Sequence, residues 1–200
     1  MLTIEQAKQE LKIAVANNPG PWEQHSLVTA DNAMRIAEKA GMDPDKAYVM
    51  GLLHDIGRRE GVTGMRHSYD GYRYLMKIGQ PEIAPICLTH SYPLKDADMF
   101  CGKHDCTEAE KTVIREYLQN REYDDYDLLI QLCDAISLPT GACIMEKRLV
   151  DVILRHGIVA YSAEKWKKLF EIKKYFDSLC GCNLYTLLPG IMENSMGNLI

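Results

Sequence analysis

The sequence has no apolar run near the length of about 20 residues that a membrane-spanning helix needs. Its first residues contain neither a basic cluster nor a long apolar segment, so the sequence predicts no signal peptide. The seven cysteines are odd in number, and a chain of 200 residues does not need disulfides to fold. We therefore expect no membrane partner, a cytoplasmic location and reduced thiols.

The sequence also has no excess of basic residues over acidic ones. Lys and Arg total 23 against 28 Asp and Glu, which gives a formal net charge of -5. A general nucleic-acid-binding protein would present a basic face, so we expect no nucleic-acid partner. A small anionic substrate remains compatible with this charge, because a bound metal ion supplies local positive charge.

The alternation of apolar and polar residues that is typical of strands does not occur, and neither do internal repeats or low-complexity linkers. Apolar residues instead recur with helical spacing between capping signals. An all-α fold of one domain over residues 1–200 is therefore predicted, with its motif-bearing core at about 20–140 and C-terminal helices at 141–200 packed on it. The predicted helices cover residues 3–17, 22–40, 43–54, 68–78, 81–90, 107–120, 126–138, 143–156 and 163–179, with residues 91–106 as a long loop.

One apolar helix ends in an adjacent histidine and aspartate, His54 and Asp55. Imidazole and carboxylate are ligands that one transition-metal ion can take together. Alone, the pair is equally compatible with a helix end that carries a satisfied histidine and a solvated carboxylate. Partners on other predicted helices favour the metal site, because separated ligands meet inside a helix bundle. These partners are His25, His67, His90 and Asp134.

Each partner also has a structural interpretation when it is taken alone. His25 fits a surface or capping histidine, and Asp134 fits a charge-paired aspartate in an apolar helix. Together the residues fit two ions, one bound by His25, His54, Asp55 and Asp134 and the second by Asp55, His67 and His90. Mixed imidazole and carboxylate ligands favour Fe or Mn, with Zn, Co and Ni as further candidates, over Mg or Ca.

Two polar features near the ligands have competing interpretations. Arg58 lies one turn after Asp55, where it is either a solvated arginine or a group that reaches a bound phosphate. Cys101, His104 and Cys106 resemble part of a zinc knuckle, but a structural zinc site needs four ligands and no second close pair follows. We therefore assign no zinc to this segment.

The last predicted helices contain no residue that this interpretation needs as a metal ligand or a catalytic group. His156 fits a helix C-terminus, where a cation is favoured, so its predicted role is structural. Trp166, Leu169, Phe170 and Phe176 recur with helical spacing and are predicted to be core contacts.

The ordered pattern of His25, His54-Asp55 and Asp134 resembles that of the HD superfamily of metal-dependent phosphohydrolases, with the pair in the His-Asp-Ile-Gly form at residues 54–57. The resemblance covers about residues 20–140. Members with two metal ions have two further histidines, which His67 and His90 match. The resemblance implies a compact, all-α helical bundle, the HD domain, with the metal site in its interior.

The resemblance also implies the chemistry. It suggests a phosphohydrolase that cleaves a phosphoester or phosphoanhydride of a small, nucleotide-like phosphorylated substrate. Asp55 would bridge two divalent transition-metal ions, the hydroxide between them would attack phosphorus, and Arg58 would stabilise charge on the phosphoryl oxygens.

Branches of the superfamily differ at two of these positions. The cyclic-di-GMP phosphodiesterases usually have Lys after the Gly and a doubled histidine, where this chain has Arg58 and a single His90 followed by Ser91. The pattern is also similar to that of the bacterial symmetrical diadenosine tetraphosphate hydrolases, apart from the loop at 91–106. Two alternatives stay open: a single-metal nucleotidase, and a non-catalytic ligand-sensing or interaction domain on the same scaffold.

Overall fold

Ten α-helices and one two-stranded hairpin make up the described part of the chain, residues 1–197 of a computed structural model. The helices are α1 (Ile4–Asn17), α2 (Trp22–Ala40), α3 (Pro44–Leu53), α4 (Arg66–Lys77), α5 (Ile86–Thr89), α6 (Glu108–Asn120), α7 (Asp125–Asp134), α8 (Met145–His156), α9 (Ser162–Cys180) and α10 (Ile191–Met196). Short 3-10 segments lie at Ile56–Glu60, Ala97–Met99 and Leu184–Leu187, and the antiparallel strands are β1 (Ser137–Leu138) and β2 (Gly141–Ala142).

The all-α prediction is confirmed by these elements. The end of the predicted C-terminal segment, residues 198–200, lies outside the described residues. No helix within residues 1–197 is both long and apolar enough to cross a membrane.

Capping residues set several helix boundaries where the sequence places them. Thr3 and Thr107 each accept a hydrogen bond from the backbone N–H three residues later, and the side chains of Gln6 and Glu110 accept one in return. Gly41 ends α2 with a φ of 74°, in the left-handed region that glycine adopts without strain. These local signals explain why α1, α2 and α6 were predictable.

The main hydrophobic cluster contains residues from both ends of the described chain, from Ala7 on α1 to Ile191 on α10. Its centre is the pair α2 and α3, which approach closely at Gly51. A Cβ atom on Gly51 would lie 2.8 Å from the Cα atom of Ala30, so only glycine permits this approach. The close contact fixes the end of α3, from which the adjacent histidine and aspartate project.

Four predicted helices differ by two residues or more at one end, and α8 is one of them, since it begins at Met145 rather than at residue 143. The helix predicted over 81–90 is reduced to α5, because residues 81–85 form turns and Pro85 disfavours helical conformation at the residue before it. α7 ends at Asp134 rather than at residue 138, because the chain turns into the hairpin, where Gly141 has a φ of 136°. α4 begins at Arg66 rather than at residue 68, so His67 lies inside it.

The loop predicted at 91–106 is present and packs on the helices. Its Tyr92, Ala97 and Phe100 belong to a second, smaller hydrophobic cluster with side chains of α4, α5 and α6. On α9, Leu169 and Phe176 are buried as predicted, and Trp166 packs against the core. The prediction for Phe170 was wrong, because its side chain is 36% exposed.

Candidate metal centre

Five parts of the chain deliver the predicted ligands to one place. His25 lies in the first turn of α2, His54 and Asp55 directly follow α3, His67 lies in the first turn of α4, His90 follows α5, and Asp134 ends α7. Five of these residues are buried, with exposed fractions between 0% and 7%. The Asp134 side chain is 25% exposed. Polar side chains this deeply buried need partners, because burying them without partners is costly.

Asp55 lies between two groups of ligand atoms. With His25 and His54 it forms one group, and with His67 and His90 a second; within each group the ligand atoms lie within 4.8 Å of one another. Asp55 Oδ1 is 3.1 Å from His67 Nε2 and 3.6 Å from His90 Nε2. Asp55 Oδ2 is 3.8 Å from His54 Nε2. The two oxygens of one carboxylate therefore serve different groups.

Asp134 joins the first group through a single histidine. Its Oδ1 is 3.0 Å from His25 Nε2, and it is not among the three residues that meet within 4.8 Å. Arg148 of α8 also approaches Asp134, with Nη2 3.6 Å from the same oxygen. The structure thus brings three residues of the predicted first set together and places the fourth, Asp134, beside them.

Backbone carbonyl groups orient three of the histidines. The Nδ1 atoms of His54, His67 and His90 lie 2.7, 2.5 and 3.1 Å from the carbonyl oxygens of Gly51, Gly64 and Ile86. A carbonyl oxygen only accepts hydrogen bonds, so each Nδ1 carries the proton and the Nε2 of a neutral ring presents a lone pair to the cluster. Metal-ligating histidines characteristically have such a second contact.

The Nε2 lone pairs of these histidines face other hydrogen-bond acceptors. His67 Nε2 and His90 Nε2 are 3.3 Å apart. Within the described chain, His54 Nε2 and Asp55 Oδ1 have no hydrogen-bond partner. Two ligand atoms about 2.1 Å from one ion, separated by the angles of octahedral or tetrahedral coordination, lie about 3.0–3.4 Å apart. The separations of His67 Nε2 from Asp55 Oδ1 and from His90 Nε2, 3.1 and 3.3 Å, lie in this range, and together with the orphaned acceptors they fit a divalent metal ion.

The charges around the cluster keep the ligands in their metal-binding forms. Burial would raise the pKa of Asp55, but the guanidinium of Arg58 opposes burial, and that pKa lies well below its usual range. In Asp134, burial is likewise outweighed by His25 and Arg148. Burial lowers the pKa of His25, and that of His90 to about 3. Ionised carboxylates and neutral imidazoles are the forms that bind metal.

Arg58 contacts the shared carboxylate directly. Its Nε is 2.5 Å from Asp55 Oδ2, and its side chain lines the cavity beside the cluster. Arg58 therefore lies one turn after Asp55, as predicted, and also contacts it. Arg58 thus pairs with a ligand and also lines the cavity, and its contact with a substrate phosphate stays a prediction.

A cavity of about 640 Å³ opens beside the cluster. This volume lies within the range of about 300–1,000 Å³ that is usual for small-molecule sites. One wall comes from the loop at 91–106, and another comes from α8 and α9. The lining residues of α8 and α9 include Arg148, Asp151, Arg155, His156 and Lys165.

Sequence analysis missed the basic residues of this second wall. Arg148 and Arg155 are seven residues apart, a spacing that places them on one face of α8, and this was the available signal. His156 ends α8, where the sequence places it, and also belongs to the wall. Burial and the neighbouring Arg155 lower its pKa. Cys101, His104 and Cys106 form no metal-ligand group within residues 1–197.

Comparisons with known proteins agree with this arrangement. The family model described as HD domain matches residues 22–138. Ribonuclease Y of Opitutus terrae is 31% identical over 80 residues, which are 39% of this chain and 15% of that protein. The chain therefore matches a small part of that relative's length. No solved structure matches the chain.

Proposed function

Because this chain belongs to the HD-domain family, we propose that it is a hydrolase that cleaves a phosphoester or phosphoanhydride of a small nucleotide-like substrate with two divalent metal ions. The observation that carries the proposal is the position of Asp55. Its two oxygens face two groups of buried histidines, and it lines a cavity of about 640 Å³.

The residues divide between two ions. His25, His54, Asp55 and Asp134 would bind the first, and Asp55, His67 and His90 the second. When bound, the ions supply Lewis acidity, which polarises phosphate oxygens and makes water nucleophilic near neutral pH. The mixed ligands favour Fe or Mn.

The protein's own groups prepare this centre. The pairing of Arg58 with Asp55 keeps the shared carboxylate ionised, and the carbonyl contacts keep the Nε2 atoms directed at the ions. Arg58 uses Nε on Asp55, and no other side-chain hydrogen bond of its guanidinium occurs within residues 1–197. The remaining N–H groups are available to phosphoryl oxygens, where planar paired donors match the geometry of phosphate.

The cavity supports a small substrate with an aromatic portion. Trp22 and Phe100 line it together with cationic side chains, so it offers a surface for a planar ring beside sites for phosphate. The net charge of -5 disfavours a long nucleic acid. The printed name of the relative, a ribonuclease, supports cleavage of phosphate esters as the reaction class.

A substrate screen tests the proposal. The purified protein, loaded with Mn or Fe, is assayed against a panel of nucleotides and phosphodiesters, with the Asp55→Ala variant as the control. We expect hydrolysis that depends on both the metal and Asp55. Metal analysis distinguishes the single-metal nucleotidase, which would retain one ion per chain at full activity. Binding of a panel member without turnover would favour the non-catalytic sensing domain.

A further inference from the structure

Lys165 is a cation that lines the cavity without a counter-ion. Its Nζ donates a hydrogen bond to the carbonyl oxygen of Ser91 at 3.0 Å, which uses one of its three N–H donors. Within residues 1–197, no carboxylate oxygen lies within 4.0 Å of this Nζ. Two other lysines of α9 do have carboxylate partners: Lys168 is 3.7 Å from Glu171, and Lys173 is 2.7 Å from Asp177.

The wall around Lys165 carries further positive charge. Arg148 and Arg155 both contact one carboxylate oxygen, Asp151 Oδ2, at 3.0 and 2.8 Å. Two guanidinium groups thus share one carboxylate of α8. Arg148 also approaches Asp134, which places one of these guanidinium groups beside the metal centre.

The cavity as a whole is cationic although the chain is acidic. The cations that line it are Arg58, Lys103, Arg148, Arg155 and Lys165, and the carboxylates are Asp55, Asp134 and Asp151. Metal ions would make the excess of positive charge larger. Positive charge focused in a cleft attracts polyanions, and Lys165 adds a further cation to this cleft.

We propose that Lys165 and the Arg148–Arg155 pair form a second anion-binding subsite, which receives a phosphate group of the substrate other than the one that is hydrolysed. This inference rests on the proposed function, which assigns the cavity to a phosphorylated substrate. It narrows the substrate class to compounds with at least two phosphate groups. The subsite lies outside the region that matches the family model, residues 22–138, so it is a property of this chain's C-terminal helices.

Partial burial explains why an anion would bind here. Burial lowers the pKa of Lys165, whereas an anionic ligand would favour its charged form. Two unused N–H donors of the ammonium group can contact phosphate oxygens, and a hydrogen bond between charged groups is stronger than one between neutral groups.

The test compares two ligands that are not hydrolysed. Inorganic phosphate and methylenediphosphonate are titrated by calorimetry into the Mn-loaded protein in excess Mn. We expect the wild type to bind the diphosphonate about tenfold or more tightly than phosphate, as one added charged hydrogen bond would give. Lys165→Met should lose most of this preference while its affinity for phosphate is kept, and Lys165→Arg should retain it.

Two further variants complete the design. Lys167→Met, at an exposed position of the same helix, removes the same charge outside the cavity and should leave the preference unchanged. Arg155→Met should reduce the preference, and its half-exposed side chain makes misfolding a poor explanation of any effect. The proposal is overturned if the wild type shows no preference, if Lys165→Met and Arg155→Met both keep it, or if Lys165→Met weakens both ligands equally.

These titrations do not require turnover, so the two proposals fail separately. A Lys165-dependent preference in a protein that hydrolyses nothing in the substrate panel would keep the subsite and reject the hydrolase. Hydrolysis of the panel without that preference would keep the hydrolase and reject the subsite.

Discussion

The two groups of candidate ligands share Asp55 but are supported differently. His25 lies on α2, and His54 follows α3. The backbones of these two helices approach each other closely at Gly51. His90 follows α5, a helix of 4 residues that cannot fix a side chain by its own length. The first group therefore depends on helix packing, whereas His90 of the second group needs support from outside its own element.

That support comes from one face of α7. Thr89 Oγ1 donates to Asp127 Oδ1 at 2.7 Å, and Gln131 Nε2 donates to the Thr89 carbonyl oxygen at 3.0 Å. Asp127 is fully buried and also accepts hydrogen bonds from Arg121. Asp127, Gln131 and Asp134 are spaced to share a face of α7. One helix thus holds His90 through its neighbour and presents Asp134 to the other group.

The largest effect should come from Asp55→Ala, which removes the residue common to both groups. Two cations would repel each other with less compensation, so metal content should fall at both sites and hydrolysis by orders of magnitude. The melting temperature should also drop, because bound metal stabilises the folded state. The measurements are metal per chain, hydrolysis rate and melting temperature.

Asp134→Ala is the comparison variant for Asp55→Ala. It should mainly empty the first site, because Asp134 contacts His25 and lies outside the second group. Excess metal should restore more of its melting temperature than in the Asp55 variant. Full hydrolytic activity of Asp55→Ala would reject the metal-hydrolase proposal.

The next largest effect should come from replacing His67 and His90 together by alanine. The second group then keeps only Asp55, so the protein should stay folded with one ion per chain. Elemental analysis of wild type and double variant checks this expectation. Unchanged metal content would show that the second group is not a metal site and that the two groups are not equivalent in function.

Arg58→Ala should lower the hydrolysis rate and leave the metal content of both groups unchanged. Arg58 contacts Asp55 Oδ2 and lines the cavity, so we expect a loss of about a hundredfold in the rate, typical of removing a donor to developing charge, with both ions retained. The checks are kcat and metal per chain, with Arg58→Lys as the variant that keeps the charge. Loss of metal together with activity would assign Arg58 to holding Asp55 instead.

The comparison of the two groups also shows where prediction from the sequence succeeds. His25, His54 and Asp55 lie where periodicity and capping signals place them, because α2 ends at Gly41, α3 begins at the Asp43 cap, and the apolar spacing of α3 aims His54 inward. The resemblance to the HD superfamily added the expected reaction, hydrolysis of a phosphoester or phosphoanhydride.

The other features depend on contacts between distant parts of the chain. Periodicity does not show that Thr89 contacts Asp127, because the two residues meet only after α5 packs on α7. The end of α7 depends on pairing of residues 137–138 with residues 141–142. Lys165 enters the cavity only once α9 lies beside Ser91. Such tertiary contacts leave no periodic or capping signal in the sequence.

The smallest expected effect, and the closest test of the comparison, is Thr89→Val. This change keeps the side-chain shape but removes the hydroxyl that contacts the buried carboxylate of Asp127. A lost hydrogen bond to a charged group corresponds to about tenfold in an equilibrium constant. Because Thr89 precedes His90, we expect the affinity of the second ion to fall by about tenfold while that of the first is unchanged. Metal titration followed by calorimetry measures both affinities.

The matched control is Thr29→Val on α2, which removes another buried threonine hydroxyl, one that donates to the His25 carbonyl oxygen at 2.8 Å. Because α2 is fixed by its packing on α3, this change should leave both metal affinities in place. Equal losses in the two variants would mean that the groups are supported alike. No loss in Thr89→Val would mean that α5 positions His90 without α7, and the difference between the two groups would then lie only in their ligands.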